Sequence, residues 1–184
     1  MILTLDDFKD MEKIERYYYS ADQIATPEDS YAWYCADSNS CVAIKRDNKV
    51  VGFINILSLK EDIFMQIKND LMNEHDLRVQ DLELNKDRYM NYLYFSCIAI
   101  DPLYRQPDVF LQLIRAYQTT LNKILSDGAC IKEVMSDCIT NEGQRASAQL
   151  LHMHPYKQTS HSTTIYVASG DLFLQNKTRG NYDT

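Results

Sequence analysis

The stretch that most constrains this chain is a strand–helix–strand pattern spanning residues 89–135. Residues 89–100 are apolar, with β-branched and aromatic content suited to a central strand. Within residues 107–126, Val109, Leu113, Tyr117, Leu121 and Ile124 recur at helical spacing, and Asp127-Gly128 stops the run. Residues 130–135 read as a second strand. Two strands joined through a helix run parallel, because the crossover returns the chain to the same end of the sheet. Upstream, residues 41–45 and 49–57 read as a hairpin around Arg46-Asp47-Asn48. Hairpin plus crossover predicts an α/β class fold, an α+β mixed sheet flanked by helices.

The remaining elements fit that frame. Residues 1–5 suit a short edge strand. Asp6 or Asp7 then caps a helix to about Tyr17, with Phe8, Met11 and Ile14 on one face. Thr26-Pro27-Glu28-Asp29 starts a second helix, which Trp33 and Tyr34 anchor. Residues 142–153 read as a helix with Ala146, Leu150 and Met153 inward, and residues 163–167 as the last strand. Between the hairpin and the central strand, residues 60–88 change character. Ile63, Phe64, Ile67 and Leu71 keep helical spacing inside a charged, largely acidic segment, which reads as an insertion. A single domain over residues 1–169 is expected, with residues 170–184 a loose tail.

Charge narrows the partners. With 19 basic against 26 acidic residues the net charge is -7, which disfavours nucleic acid and anionic membranes. The longest apolar-rich run, residues 50–59, is too short to span a bilayer. The first ten residues lack the basic start and apolar stretch of a signal peptide, so a cytoplasmic protein is expected. Five cysteines without a CxxC pair suggest reduced, mostly buried thiols. His152 and His154 do not share a helical face, and no metal site is expected.

One segment carries chemistry. Ile100-Asp101-Pro102-Leu103-Tyr104-Arg105 closes the central strand and precedes a helix. It resembles the first half of the V-x-P-x-x-R-x-x-G-x-G/A motif of the GNAT superfamily of acyl-CoA N-acyltransferases. Gln144, Ser147, Leu150 and Leu151 take the places of a second family pattern, N-x-x-A-x-x-L-Y, with Pro155-Tyr156 where Gly-Phe is usual. The element order agrees over nearly the whole chain, and the motifs cover about a third of it. The resemblance implies a GNAT-like fold, with acetyl-CoA (CoA) as cosubstrate. It implies transfer of an acetyl or other acyl group to an amine of a small molecule or protein. A homodimer is compatible with it.

The physical reading of these motifs names the cofactor contacts. A pantetheine arm is a diamide that can pair with the backbone edge of a splayed strand, here Ile98, Ala99 and Ile100. A pyrophosphate rests on free N–H groups at a helix start, here Arg105, Gln106, Pro107, Asp108, Val109 and Phe110, with Gln144 and Ser147 on the later helix. The loop departs from the family pattern. It has no glycine, Pro107 removes a donor, and Asp108 brings a carboxylate to an anion site. For proton transfer the candidates are Tyr94, Ser96 and Tyr156, since Leu151 stands where relatives use a Tyr acid. Tyr92 alternates with Tyr94 and Ser96. Tyr17-Tyr18-Tyr19 offers an aromatic wall or a helix end. The alternative to an active enzyme is a catalytically inactive GNAT-like module that binds acyl-CoA or a protein partner.

Overall fold

A computed structural model describes residues 2–175. Its elements run α1 (Leu5–Glu15), α2 (Pro27–Ala36), β1 (Cys41–Arg46), β2 (Lys49–Ser58), α3 (Glu61–Lys68), β3 (Tyr92–Ile100), α4 (Pro107–Ser126), β4 (Glu133–Cys138), α5 (Asn141–Arg145), β5 (His154–Gln158), β6 (Thr164–Ser169) and α6 (Gly170–Gln175). The six strands form one sheet in the order β1-β2-β3-β4-β6-β5. Only β3 and β4 pair in parallel, and α4 makes their crossover. The mixed sheet flanked by helices is the expected class.

Each face of the sheet buries its own layer. On one face Leu113, Tyr117, Leu121 and Ile124 of α4 pack on Leu93, Phe95 and Val134. On the other, α1 lays Phe8, Met11 and Ile14 over Phe53, Cys97 and Ala99. Trp33, Phe64, Ile67, Leu77 and Leu82 cover Leu57, Tyr94 and Met135 on the same side. The segment between β2 and β3 is held by Leu77 and Leu82 and by a bridge from Leu59 to Leu82. Leu71 is not part of that anchor. Asp70 has φ 60, which turns the chain after α3 and leaves Leu71 exposed.

Several sequence expectations are corrected. No strand forms at residues 2–4, and Met1 lies outside the described residues. Thr4 is the N-cap of α1 instead, and its N–H donates to the Asp7 carboxylate at 2.8 Å. Asp7 also pairs with Lys45 of β1 at 2.6 Å, which ties the helix to the sheet. The strand expected at residues 130–135 is β4, three residues later, because the polar Ser136 and Asp137 belong to it. The helix expected at residues 142–153 is α5 followed by one π-helical turn, Ala146–Leu150, and it ends where His152 turns the chain at φ 54. Edge strand β5 was not foreseen. It is exposed along its whole length and carries Pro155, so it has no alternating pattern to read. Residues 170–175 form α6, whose Phe173 is buried 6.0 Å from the Phe95 ring; residues 176–184 lie outside the described residues.

Cys41, Cys97 and Cys138 are buried, Cys35 and Cys130 exposed, and all are free thiols. Among the described residues no helix is long and apolar enough to cross a membrane.

Gly170 is the most closely approached of the described glycines. A Cβ there would lie 1.8 Å from the Ile131 carbonyl oxygen, while its N–H donates to Lys132 O at 2.7 Å. Gly170→Ala must therefore push two backbone segments apart. We expect it to cost about 2 kcal/mol or more in urea unfolding, whereas Gly143→Ala, whose Cβ meets the Thr140 hydroxyl at 3.3 Å and Cys138 Cβ at 3.8 Å, should cost less.

Candidate active site

The site begins where β3 and β4 stop pairing. Their parallel register runs from Tyr92↔Glu133 to Phe95↔Ser136 and goes no further, although β3 continues to Ile100 and β4 to Cys138. At the same place β3 carries a bulge. Asn55 of β2 faces Cys97 and Ile56 faces Phe95, so Ser96 is the extra residue. The bulge resets the alternation of side chains. Tyr92 and Tyr94 face the α3 side and Leu93 and Phe95 the α4 side, but beyond Ser96 it is Cys97 and Ala99 that face α1, and Ile98 and Ile100 that face α4. Beyond Phe95, β3 thus has an edge with no β4 partner.

Two cavities open from this fork. One, about 450 Å³, runs along the α4 side between Phe95, Ile98, Ile100, Phe110, Ala146 and Ser147. The other, about 490 Å³, lies under the inserted segment and the end of α1. Tyr19, Ser96, Cys97, Asp137 and Ile139 line both, so the cavities meet at the fork.

The structure brings most of the expected cofactor residues to the first groove. Ile98, Ile100, Arg105, Gln106, Pro107, Phe110 and Ser147 line it. Ala99 and Val109 point into the core instead. Gln144 lines neither cavity, and Asp108 is exposed, 3.8 Å from Arg46. At the start of α4, Pro107 has no N–H and Phe110 N–H donates to Gln106 O at 3.3 Å, leaving the N–H groups of Asp108 and Val109 for a ligand. Arg105 is held by Tyr18. Its Nε donates to the Tyr18 hydroxyl at 3.1 Å, its guanidinium lies 4.9 Å from the ring centre, and the same hydroxyl donates to Ile100 O at 2.7 Å. Leu151 is buried in the core.

Of the expected proton-transfer residues, Tyr94 and Ser96 reach the second cavity. Tyr156 does not. It is exposed on β5 under Lys68, whose Nζ lies 4.7 Å above its ring, and it lines neither cavity.

The second cavity holds titratable groups outside the expected proton-transfer set. Tyr94 donates to the Glu74 carboxyl at 3.0 Å. Burial pushes Glu74 up to about 7. The Tyr94 bond and the nearby Ser96 hydroxyl oppose this, and the Asp137 charge adds to it. Burial pushes Glu15 up to about 8, with the Glu74 charge adding and the Cys97 thiol opposing. Asp137 is raised by burial, against a hydrogen bond from Thr163. Burial, with Glu15 and Glu74 nearby, raises the Cys97 thiol well above its ordinary value, so it stays protonated and is no nucleophile. Tyr19 is raised by the neighbouring Cys97 and by burial. The signals were faint. Glu74 is one carboxylate among many in the insertion, Glu15 falls on the fringe of an amphipathic helix, and Asp137 is an acid inside a strand.

Comparison with known proteins agrees on the architecture. No protein-family model matches the sequence, and no curated protein matches it. Solved structures do match. The loading GNATL domain of CurA from Lyngbya majuscula superposes with TM-score 0.61 at 10% identity, covering 93% of this chain and 96% of that one. The GphF GNAT-like decarboxylase, solved with isobutyryl-CoA, gives 0.57 at 12% identity over 91% and 97%. Ard1 from Thermoplasma volcanium gives 0.56 at 13% identity over 91% and 92%. This chain has the GNAT acyltransferase fold. At such identities the likeness concerns the fold.

The raised carboxyls give a stability signature. Glu15 titrates at about 8 in the folded chain against an ordinary 4.5, so between those values the folded protein holds a proton that the unfolded chain has released. That contribution is complete below the unfolded value and is lost as pH rises through about 8. Glu15→Gln should therefore gain stability over the wild type as pH is raised from about 5.5 to about 8.5, by on the order of 2 kcal/mol after discounting for partial exposure. Urea unfolding at both pH values measures it; an unchanged difference would mean an ordinary, solvated Glu15.

Proposed function

We propose that this chain transfers an acyl group from an acyl-CoA, acetyl-CoA in the simplest case, to an amine of a small molecule or protein. The observation that carries the reading is the meeting of two cavities at the fork between β3 and β4, one beside a free strand edge and one lined by carboxyls.

The pantetheine amides pair with the β3 edge beyond Phe95, which leaves the thioester at the bulge near Ser96. The amine arrives from the second cavity as an ammonium and must lose a proton before it attacks. Glu74, poised at about 7, is the group that accepts it. The amine nitrogen attacks the thioester carbonyl, the C–S bond breaks, and the thiolate is reprotonated. Tyr19, which lines both cavities, is the phenol suited to that role in place of Leu151. Holding both reactants at one fork supplies much of the acceleration.

A specific observation favours the inactive-module reading as the alternative. The helix start offers two free N–H groups, and a carboxylate, Asp108, stands beside them. Binding of acetyl-CoA without turnover of any amine would select that reading.

Two variants test the proposal. Glu74→Gln should lower kcat by about 10²–10⁴-fold, remove the rise in rate through pH ~7, and leave calorimetric CoA affinity within a few fold. A pH profile of unchanged shape in this variant would assign the base elsewhere. Asp108→Gly should tighten CoA binding while lowering stability by about 0.5–1 kcal/mol through loss of a helix-start carboxylate. Weaker or equal CoA affinity would mean that the helix start is no phosphate site.

A further inference from the structure

The second cavity holds more carboxyls than acylation of one amine uses. Five carboxyls line it: Glu15, Asp29, Asp70, Glu74 and Asp137. Among the described residues, none of the five has a Lys or Arg nitrogen at ion-pair distance. The cations on the same wall are engaged elsewhere. Arg78 donates to the carbonyls of His75 and Leu77 at 2.8 and 2.7 Å, and His75 lies 3.3 Å from Asp76 outside the cavity. His161 acts on both Asp137 and Asp70, and Asp70 also accepts the Ser160 N–H at 2.7 Å and feels the Lys157 charge.

A second observation points to a ligand. Asp137 Oδ1 and Ser96 Oγ are buried atoms on this wall, at the fork itself, and neither has a partner in hydrogen-bond geometry, although Ser96 lies close enough to act on Glu74 and Thr163 acts on the Asp137 carboxyl. Buried polar atoms in folded proteins are nearly always satisfied, so a pair of orphans facing one cavity marks what a bound group would complete. Glu15 adds to this, since it is half-buried with the Cys97 thiol bonding it. Among the described residues no group of three His, Cys, Asp or Glu side chains is arranged to hold a metal ion. The carboxyls are instead spread around a cavity of about 490 Å³, room for an extended organic cation.

Resting on the acceptor reading above, we propose that the acceptor is a small aliphatic diamine or polyamine, acylated at one primary amine while a second ammonium stays charged among the remaining carboxylates. The reacting ammonium gives one proton to Glu74, its nitrogen bonds the acyl carbon, and the C–S bond breaks. The second amine proton ends on the leaving thiolate, so amide and free thiol form and one proton passes through Glu74 to solvent. Asp29, Asp70 and Asp137 take no part in that chemistry. A lysine side chain or a protein N-terminus brings one ammonium and leaves them unmatched. A polyamine matches them and meets the orphaned Asp137 Oδ1 with an N–H donor.

The test uses the full chain, with acetyl-CoA as donor and spermidine, 1,4-diaminobutane, n-butylamine and a lysine-containing peptide as acceptors. The KM for spermidine should fall at least about tenfold below that for n-butylamine, and the advantage should shrink as salt is raised. Asp29→Asn and Asp70→Asn should each raise the KM for spermidine about threefold or more, with little change in kcat and little change in the KM for n-butylamine. Equal KM values for the monoamine and the polyamine, or a preference for the peptide, overturn the proposal. If no amine is acylated, calorimetry with spermidine and no donor separates the two readings. Binding that Asp70→Asn weakens upholds the polyamine site and removes the acyltransferase reading; absence of spermidine binding removes the polyamine site.

Discussion

Everything functional in this fold depends on β3 and β4 being hydrogen-bonded for only part of their length. A parallel pair that ran on past Phe95 and Ser136 would close the sheet and leave no backbone edge for a ligand amide. The bulge at Ser96 breaks that continuity. It adds a residue to one strand, increases the local twist and turns Ile98 and Ile100 toward α4. The same residue change turns Cys97 and Ala99 toward α1. One inserted residue thus builds the apolar wall of one cavity and the floor of the other. The cost is borne by the core below. Leu93, Phe95 and Val134 lock the paired half of the two strands, with α4 on one face and the inserted segment on the other.

The second organising force is desolvation of acids. Glu15, Glu74 and Asp137 reach the fork from a helix, an inserted loop and a strand, and burial raises all three. Such an arrangement lowers stability near neutral pH, because like charges oppose one another in a poorly solvated place. Proteins keep such clusters where a ligand cation or a proton transfer repays them. The groove side is nearly the reverse, with apolar walls, one arginine already stacked on Tyr18, and Asp108 paired with Arg46. The fork is therefore lopsided, largely apolar where a pantetheine arm would lie and rich in carboxyls where an amine would enter.

The sequence announced its helices and strands wherever one face is buried and the other wet. Val109, Leu113, Tyr117, Leu121 and Ile124 of α4 are all buried as their spacing demands, and Thr26 accepts the Asp29 N–H at 3.1 Å as its capping pattern demands. Expectation failed where that rule lapses. Strand β5 buries neither face, the later half of β4 carries Ser136 and Asp137 into a cavity, and the helix after β4 breaks into a π turn. The last two lie at the site, where ligand-facing positions depart from the pattern of a packed core.

By itself the sequence determined the crossover, its helix and the hairpin, because these rest on periodicity and capping between near neighbours, and it pointed to Ile98, Ile100, Arg105, Gln106, Pro107 and Phe110, which line the groove. Only the tertiary structure decided which carboxyls of an acidic chain meet. Glu15 and Glu74 are 59 positions apart by their own numbers, and Asp137 a further 63, yet all three line one cavity. Their meeting is set by how far β3 and β4 splay and by where Leu77 anchors the inserted segment, which are distances between elements and not patterns within them. The same separation explains Tyr156. It holds a motif position in the chain, yet edge strand β5 carries it away from both cavities.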